Sequence, residues 1–177
     1  MTVQLSTTYK SQDILDNPIT KIQGEISFLQ QNVGKRQEVQ QTLLELAFAR
    51  KTDLVLLQEP SFWLDRQDRW FTLQHPAYEA IYQSTTTTTR PRTAVYVRKR
   101  ASFRYKLCKE LSADGDLLVL EIFGPTEQFL VLNLYNEKEL SEDPTHPRER
   151  TIQRALLPLQ LQGKPFLLAG DFNCHHH

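Results

Sequence analysis

The sequence predicts a mixed α/β fold of the α+β kind, two packed sheets with helices on the outside. Three observations predict it. The 177 residues are 40% apolar and 24% charged, globular values with enough chain for one domain and a real core. Residues 25–59 read as strand, helix, strand. From Tyr78 on, short runs rich in β-branched and aromatic residues follow one another between turn signals, before a second helix and a last strand. An all-parallel doubly wound sheet fits this order less well, because it needs a helix between successive strands.

Each element has its own signal. Residues 1–24 are polar and aperiodic, with Asp16-Asn17-Pro18 as a turn, and read as a flexible tail ahead of one domain over 25–177. In EISFLQQNV, Ile26, Phe28 and Gln30 alternate with their neighbours as a strand does, and Gly34 ends it. RQEVQQTLLELAFARK changes period: Val39, Leu43, Leu46 and Ala47 share one helical face, and charged and amide residues fill the other. Leu54 to Leu57 is a continuous apolar run stopped by Pro60, the pattern of a strand covered on both faces.

AYEAIY, RTAVYVRK, SFRYKL, DLLVLEIF and QFLVLNLY are the next strands. The threonines 85–89, Ala113-Asp114-Gly115-Asp116 and Gly124-Pro125 are turn signals among them. DPTHPRERTIQRALLPLQ returns to helical spacing. Ile152, Leu156 and Leu159 share a face, Asp143 or Thr145 is placed to cap the start, and Pro158 crowds the end. FLLAG is the last strand. No internal repeat of solenoid period occurs.

Composition narrows the function. Lys+Arg and Asp+Glu both total 21, so the formal charge is zero, which argues against holding nucleic acid by bulk charge. Cys108 and Cys174 form no disulfide framework and have no metal-ligand spacing, so both are expected as reduced thiols. The N-terminus lacks the apolar core of a secretory signal, and no apolar run is long enough to span a membrane. An intracellular protein of nucleus or cytoplasm, neither secreted nor held in a membrane, is expected.

Polar residues collect at the strand ends. Asn32 follows the first strand, Glu59 the second, Tyr135 and Asn136 follow LVLNL, and Asp171 and Asn173 follow FLLA. Glu59, after four apolar residues, is either a solvated strand terminus or a ligand of a cation such as Mg²⁺, which takes one or two carboxylates beside phosphate oxygens. Asp171 could serve as a general base on water and Asn173 could hold a phosphate oxygen; a turn closed by both side chains is the plainer reading. Tyr135 could donate to a phosphate oxygen or simply pack at an edge. Arg90, Arg92, Arg98, Lys99, Arg100, Arg104 and Lys106 form an acid-free run that could neutralise phosphates or could protect edge strands. Cys174-His175-His176-His177 could be a tag scar, a zinc cluster or part of a site.

Taken in order, QQNV, LVLLQEP, VLNLYN and FLLAGDFN resemble the motifs of the endonuclease/exonuclease/phosphatase superfamily. Within it the chain is most similar to the apurinic-type endonuclease domains of non-long-terminal-repeat retrotransposons, from about Glu25 onward. Cys174-His175-His176 then looks like the continuation of GDFN in that subgroup. The resemblance implies a four-layer αββα sandwich of two mixed sheets with outer helices. It also implies Mg²⁺-dependent phosphodiester hydrolysis of nucleic acid, DNA above all, with Mn²⁺ as a substitute metal.

The resemblance further implies roles at these positions. Asn32 would organise the metal side and contribute to holding the metal, with Glu59 as its ligand. Tyr135 would contact the scissile phosphate, Asp171 would orient or deprotonate water, and Asn173 would stabilise the phosphate. Asn136, Arg90 and Arg92 are the remaining candidates for substrate binding. A reverse transcriptase domain in the parent element is an expected partner.

The superfamily's closing Ser-Asp-His-like motif is not found in the 177 residues. The domain is therefore expected to be incomplete at its C-terminus, with its last strands missing, the FLLAG strand near an unpaired edge, and activity weak or absent. A phosphomonoesterase of the same superfamily and a non-catalytic nucleic-acid-binding remnant are the alternative functions.

Overall fold

The structure, a computed structural model, describes residues 25–83, 89–112, 115–124, 127–136, 151 and 163–173. Its first sheet contains β1 (Phe28–Asn32), β2 (Leu54–Gln58), β5 (Tyr78–Ile81) and β6 (Thr93–Arg98), in the order β1-β2-β6-β5. Its second contains β7 (Arg104–Leu107), β8 (Leu117–Phe123), β9 (Gln128–Tyr135) and β10 (Phe166–Asp171), in the order β10-β9-β8-β7. In each sheet one pair is parallel, β1 with β2 and β10 with β9, and the other pairs are antiparallel. The predicted mixed two-sheet sandwich is the observed fold.

Strand alternation builds the layers. Leu54 and Leu56 of β2 and Val95 and Val97 of β6 face Leu118, Leu120 and Ile122 of β8 and Phe129 and Val131 of β9, which makes the core between the sheets. Val55 and Leu57 point the other way and join Ala94 and Tyr96 beneath the helix α1 (Gln37–Ala49). β2 thus has both faces covered, which is why it reads as unbroken apolar sequence. Leu117, Val119, Leu130, Leu132 and Leu134 form a third cluster on the outer face of the second sheet. The predicted second helix lies outside the described residues except Thr151, which is helical and buried. The tail over residues 1–24 and the segment 174–177 also lie outside them.

Three expectations need correction. The buried face of α1 is Gln40, Leu43, Leu44 and Ala47, so the helix is rotated from the predicted stripe and turns an amide inward. Gln40 can be buried because all its groups are used. Its Nε2 donates to Thr72 Oγ1 at 2.9 Å and Tyr96 Oη at 2.7 Å, and its Oε1 accepts the Ser61 N–H at 2.7 Å.

That network anchors an unpredicted hairpin, β3 (Phe62–Leu64) with β4 (Trp70–Thr72). The third correction concerns the basic run. It does not form one stripe, because β6 carries it along the length of the sheet. Arg90 and Arg92 precede β6 at one end, Arg98 and Lys99 end it at the other, and Arg104 and Lys106 sit on β7 in the second sheet.

Candidate functional site at the paired strand ends

β1, β2, β9 and β10 all finish at the same end of the sandwich. Parallel pairing puts Asn32 level with Gln58, one residue before Glu59, and Asp171 level with Tyr135. Asn32 Nδ2 reaches Asp171 Oδ2 at 2.7 Å and Glu59 Oε2 at 3.4 Å. One amide therefore joins carboxylates from two sheets. Its orientation is set from behind, because Asn32 Oδ1 accepts the Gly34 N–H at 2.8 Å. With its carbonyl oxygen so engaged and its nitrogen toward the acids, Asn32 is oriented as a donor that organises them.

Glu59 is fixed by its main chain. Its φ is 48°, an uncommon left-handed conformation for a non-glycine residue. It is held there by its N–H on Arg92 O at 2.8 Å and by the Lys35 N–H on its own carbonyl at 2.7 Å. Its carboxylate is part exposed and lies 3.5 Å from Lys35 Nζ. Arg90 donates to Pro60 O at 3.0 Å; burial pushes its pKa down, and the Glu59 charge offsets part of that.

β10 can approach β9 only because residue 170 is glycine. An added Cβ would lie 2.0 Å from Leu134 O. Beyond it the chain is strapped down: Asn136 N–H donates to Asp171 O, and Asn136 Nδ2 to Phe172 O, each at 2.8 Å. Asn173 Nδ2 bonds Asn136 O, and its N–H reaches Asp171 Oδ1 at 3.0 Å. Asn136, expected at the substrate, is buried and shares this strap.

Burial raises the Tyr135 pKa first and the Glu59 charge second, while the Arg92 charge and the polar Asn173 side chain lower it. Arg92 is not extended toward solvent: it pairs with Asp116 and lies over the Tyr135 ring.

Sequence reasoning missed a buried amide chain behind the site. Gln30 Nε2 bonds Gln58 Oε1, Gln58 Nε2 bonds Asn133 Oδ1, and Asn133 Nδ2 donates to Leu57 O and Ala94 O at 2.9 Å each. It ties the two sheets together just below the acids. The available signal was position: Gln30, Gln58 and Asn133 occupy strand positions that face the inter-sheet core. A cleft of about 390 Å³ lined by Ala101, Phe103, Arg104 and Phe123 opens at the opposite end, where Phe123 pairs with Gln128.

The donors around Asn32 are hard oxygens, and Lys35 already places a positive charge against Glu59. Among the described residues no three His, Cys, Asp or Glu side chains cluster as a metal cage. A carboxylate supplying few protein ligands suits Mg²⁺, which retains waters and shares phosphate oxygens.

A family model described as the Endonuclease/Exonuclease/phosphatase family matches residues 29–177. Among solved structures, the chain is similar to the endonuclease domain of TRAS1, a telomere-specific non-LTR retrotransposon. The TM-score is 0.64 at 16% identity, over 86% of this chain and 61% of that one. It is also similar to D. rerio TDP2 humanized by 14 mutations, with TM-score 0.54, 18% identity, and 85% and 63% of the two chains covered. D. rerio TDP2 complexed with a single strand DNA product gives TM-score 0.54 and 17% identity, over 85% and 62%. At these identities the likeness is one of fold. The chain spans less than two thirds of each of these structures. A search of the curated proteins finds no match.

Proposed function

Because the chain belongs to the endonuclease/exonuclease/phosphatase family, we propose that the strand-end cluster is the centre of a Mg²⁺-dependent phosphodiesterase acting on nucleic acid, a DNA-nicking endonuclease of retrotransposon type. The observation that carries this is the Asn32 amide bridging Glu59 and Asp171 across the two sheets. Fold likeness to the TRAS1 endonuclease domain supports it over a phosphomonoesterase.

Glu59 is the residue to hold the cation, with Mn²⁺ as a substitute. When bound, the cation supplies positive charge to the phosphate oxygens. Asp171, kept in place by Asn32 and by the Asn173 N–H, accepts a proton from the attacking water. The water oxygen then bonds phosphorus, the bond to the leaving ester oxygen breaks, and that oxygen takes up a proton from solvent. Tyr135 donates to a non-bridging oxygen, and Asn173, fixed by its bond to Asn136 O, holds the phosphate. Arg90 lies at the mouth of the site, where its charge would draw the substrate backbone.

The test is a pair of assays with Mg²⁺ or EDTA, one nicking supercoiled plasmid and one releasing phosphate from a soluble phosphomonoester. Weak nicking only with Mg²⁺, lost in Asp171→Asn, is the expected result. Phosphate release in place of nicking would assign a phosphomonoesterase. DNA binding that falls with salt, without cleavage, would assign a non-catalytic role.

A further inference from the structure

We infer that Arg92, locked by Asp116, is a positioning residue that sets the spacing between Tyr135 and Glu59, and not a phosphate contact. The inference rests on the reading of Tyr135 and Glu59 given above. Arg92 Nε donates to Asp116 Oδ1 at 2.6 Å, and a second guanidinium nitrogen pairs with Oδ2, so the fork is held at both prongs. Asp116 is 8% exposed. The guanidinium carbon lies 4.7 Å from the Tyr135 ring centroid, in cation–π range. The same two residues hold the site through their main chains: Glu59 N–H donates to Arg92 O and Tyr135 N–H to Asp116 O, each at 2.8 Å.

This clasp crosses the sandwich. Arg92 leads into β6 of the first sheet and Asp116 into β8 of the second. Arg92 and Thr93 both donate main-chain N–H groups to Gly115 O, at 2.8 and 3.0 Å. The backbones touch: a Cβ on Gly115 would lie 2.8 Å from Pro91 Cα. One arginine therefore supports Tyr135 with its side chain and Glu59 with its carbonyl. A guanidinium engaged at both prongs and over a ring is poorly placed to bind a mobile phosphate as well.

Arg92→Lys keeps the charge and loses the fork. Asp116→Asn keeps the shape and loses the ion pair, so both variants are built to fold. Two readouts apply. In carbon-13 tyrosine spectra, with the Tyr135 resonance assigned by Tyr135→Phe, Asp116→Asn should move the Tyr135 ring signal and leave those of Tyr78 and Tyr96 unmoved. In plasmid nicking, Arg92→Lys and Asp116→Asn should each lower kcat about tenfold with KM little changed, and by less than about twofold when added to Tyr135→Phe.

An unmoved Tyr135 signal overturns the inference. So does a rise in KM from Arg92→Lys together with a fall from Asp116→Asn, the pattern of a substrate contact released from its partner. If the unaltered protein nicks nothing, the proposed function fails, and the ring signal still decides the positioning role.

Discussion

Gly170→Ala should unseat Asp171 and destabilise the fold together. Gly170 sits at φ 153° and pairs with Leu134 across the parallel β10–β9 ladder. An alanine Cβ would lie 2.0 Å from Leu134 O, 2.8 Å from its carbonyl carbon and 2.9 Å from its nitrogen. These are backbone atoms of a central strand and cannot rotate aside. A carbon–oxygen contact relaxes at about 3.3 Å, so β10 must retreat by more than about 1 Å.

Asp171 follows the next peptide, and its 2.7 Å bond from Asn32 and the 2.8 Å bond from Asn136 both pass out of range. With roughly 1 kcal/mol for each of two or three lost bonds and 1–3 kcal/mol of residual strain, the total is about 3–6 kcal/mol. For a chain of this length that is a fall in Tm of about 6–24 °C. Urea unfolding followed by circular dichroism measures it, with the midpoint falling and the slope unchanged. A loss below about 1 kcal/mol would refute the reasoning, because it would mean that the strands separate without cost.

Other outcomes follow from the same contacts. Asn133→Leu strands the Gln58 amide and removes the donor to Leu57 O and Ala94 O in a fully buried site, so it should cost about 3 kcal/mol in the same assay. Lys164→Met should cost about 1 kcal/mol at pH 7 and nothing in acid. The Lys164 hydrogen bond is the largest cause holding the Glu121 carboxyl below its ordinary 4.5. A lowered folded pKa gives stability that is complete above about pH 4.5 and lost as pH falls through the folded value, so the two melting curves should draw together as pH falls below about 4.5 and meet once it has passed that lowered value. Adding 10 mM Mg²⁺ should stabilise the protein by about 1.4 kcal/mol for a site of roughly millimolar affinity, and should leave Glu59→Gln unmoved in a thermal melt.

The site was legible where local pattern and position coincide. Leu54 to Leu57 announces a doubly covered strand, and a polar residue that closes such a run marks the strand's end, so Glu59, Tyr135 and Asp171 could be singled out from sequence as candidates. Gln40 could not, because an amide on a helix reads as solvent-facing until Thr72, Tyr96 and Ser61 are brought to it. The β3–β4 hairpin has strands of three residues, too short to show alternation. Arg92 looked like part of a basic run because its partner, Asp116, is 24 residues away, and only the packing of β6 beside β8 makes them a pair.

The proposed chemistry depends on Glu59 holding a divalent cation beside Asp171, and plasmid nicking by the protein and its Glu59→Gln variant tests this most directly. Nicked circles are expected with Mg²⁺ or Mn²⁺, none with EDTA, and a loss of about 10³-fold in Glu59→Gln. Cleavage that persists in EDTA, or that Glu59→Gln leaves intact, would contradict it.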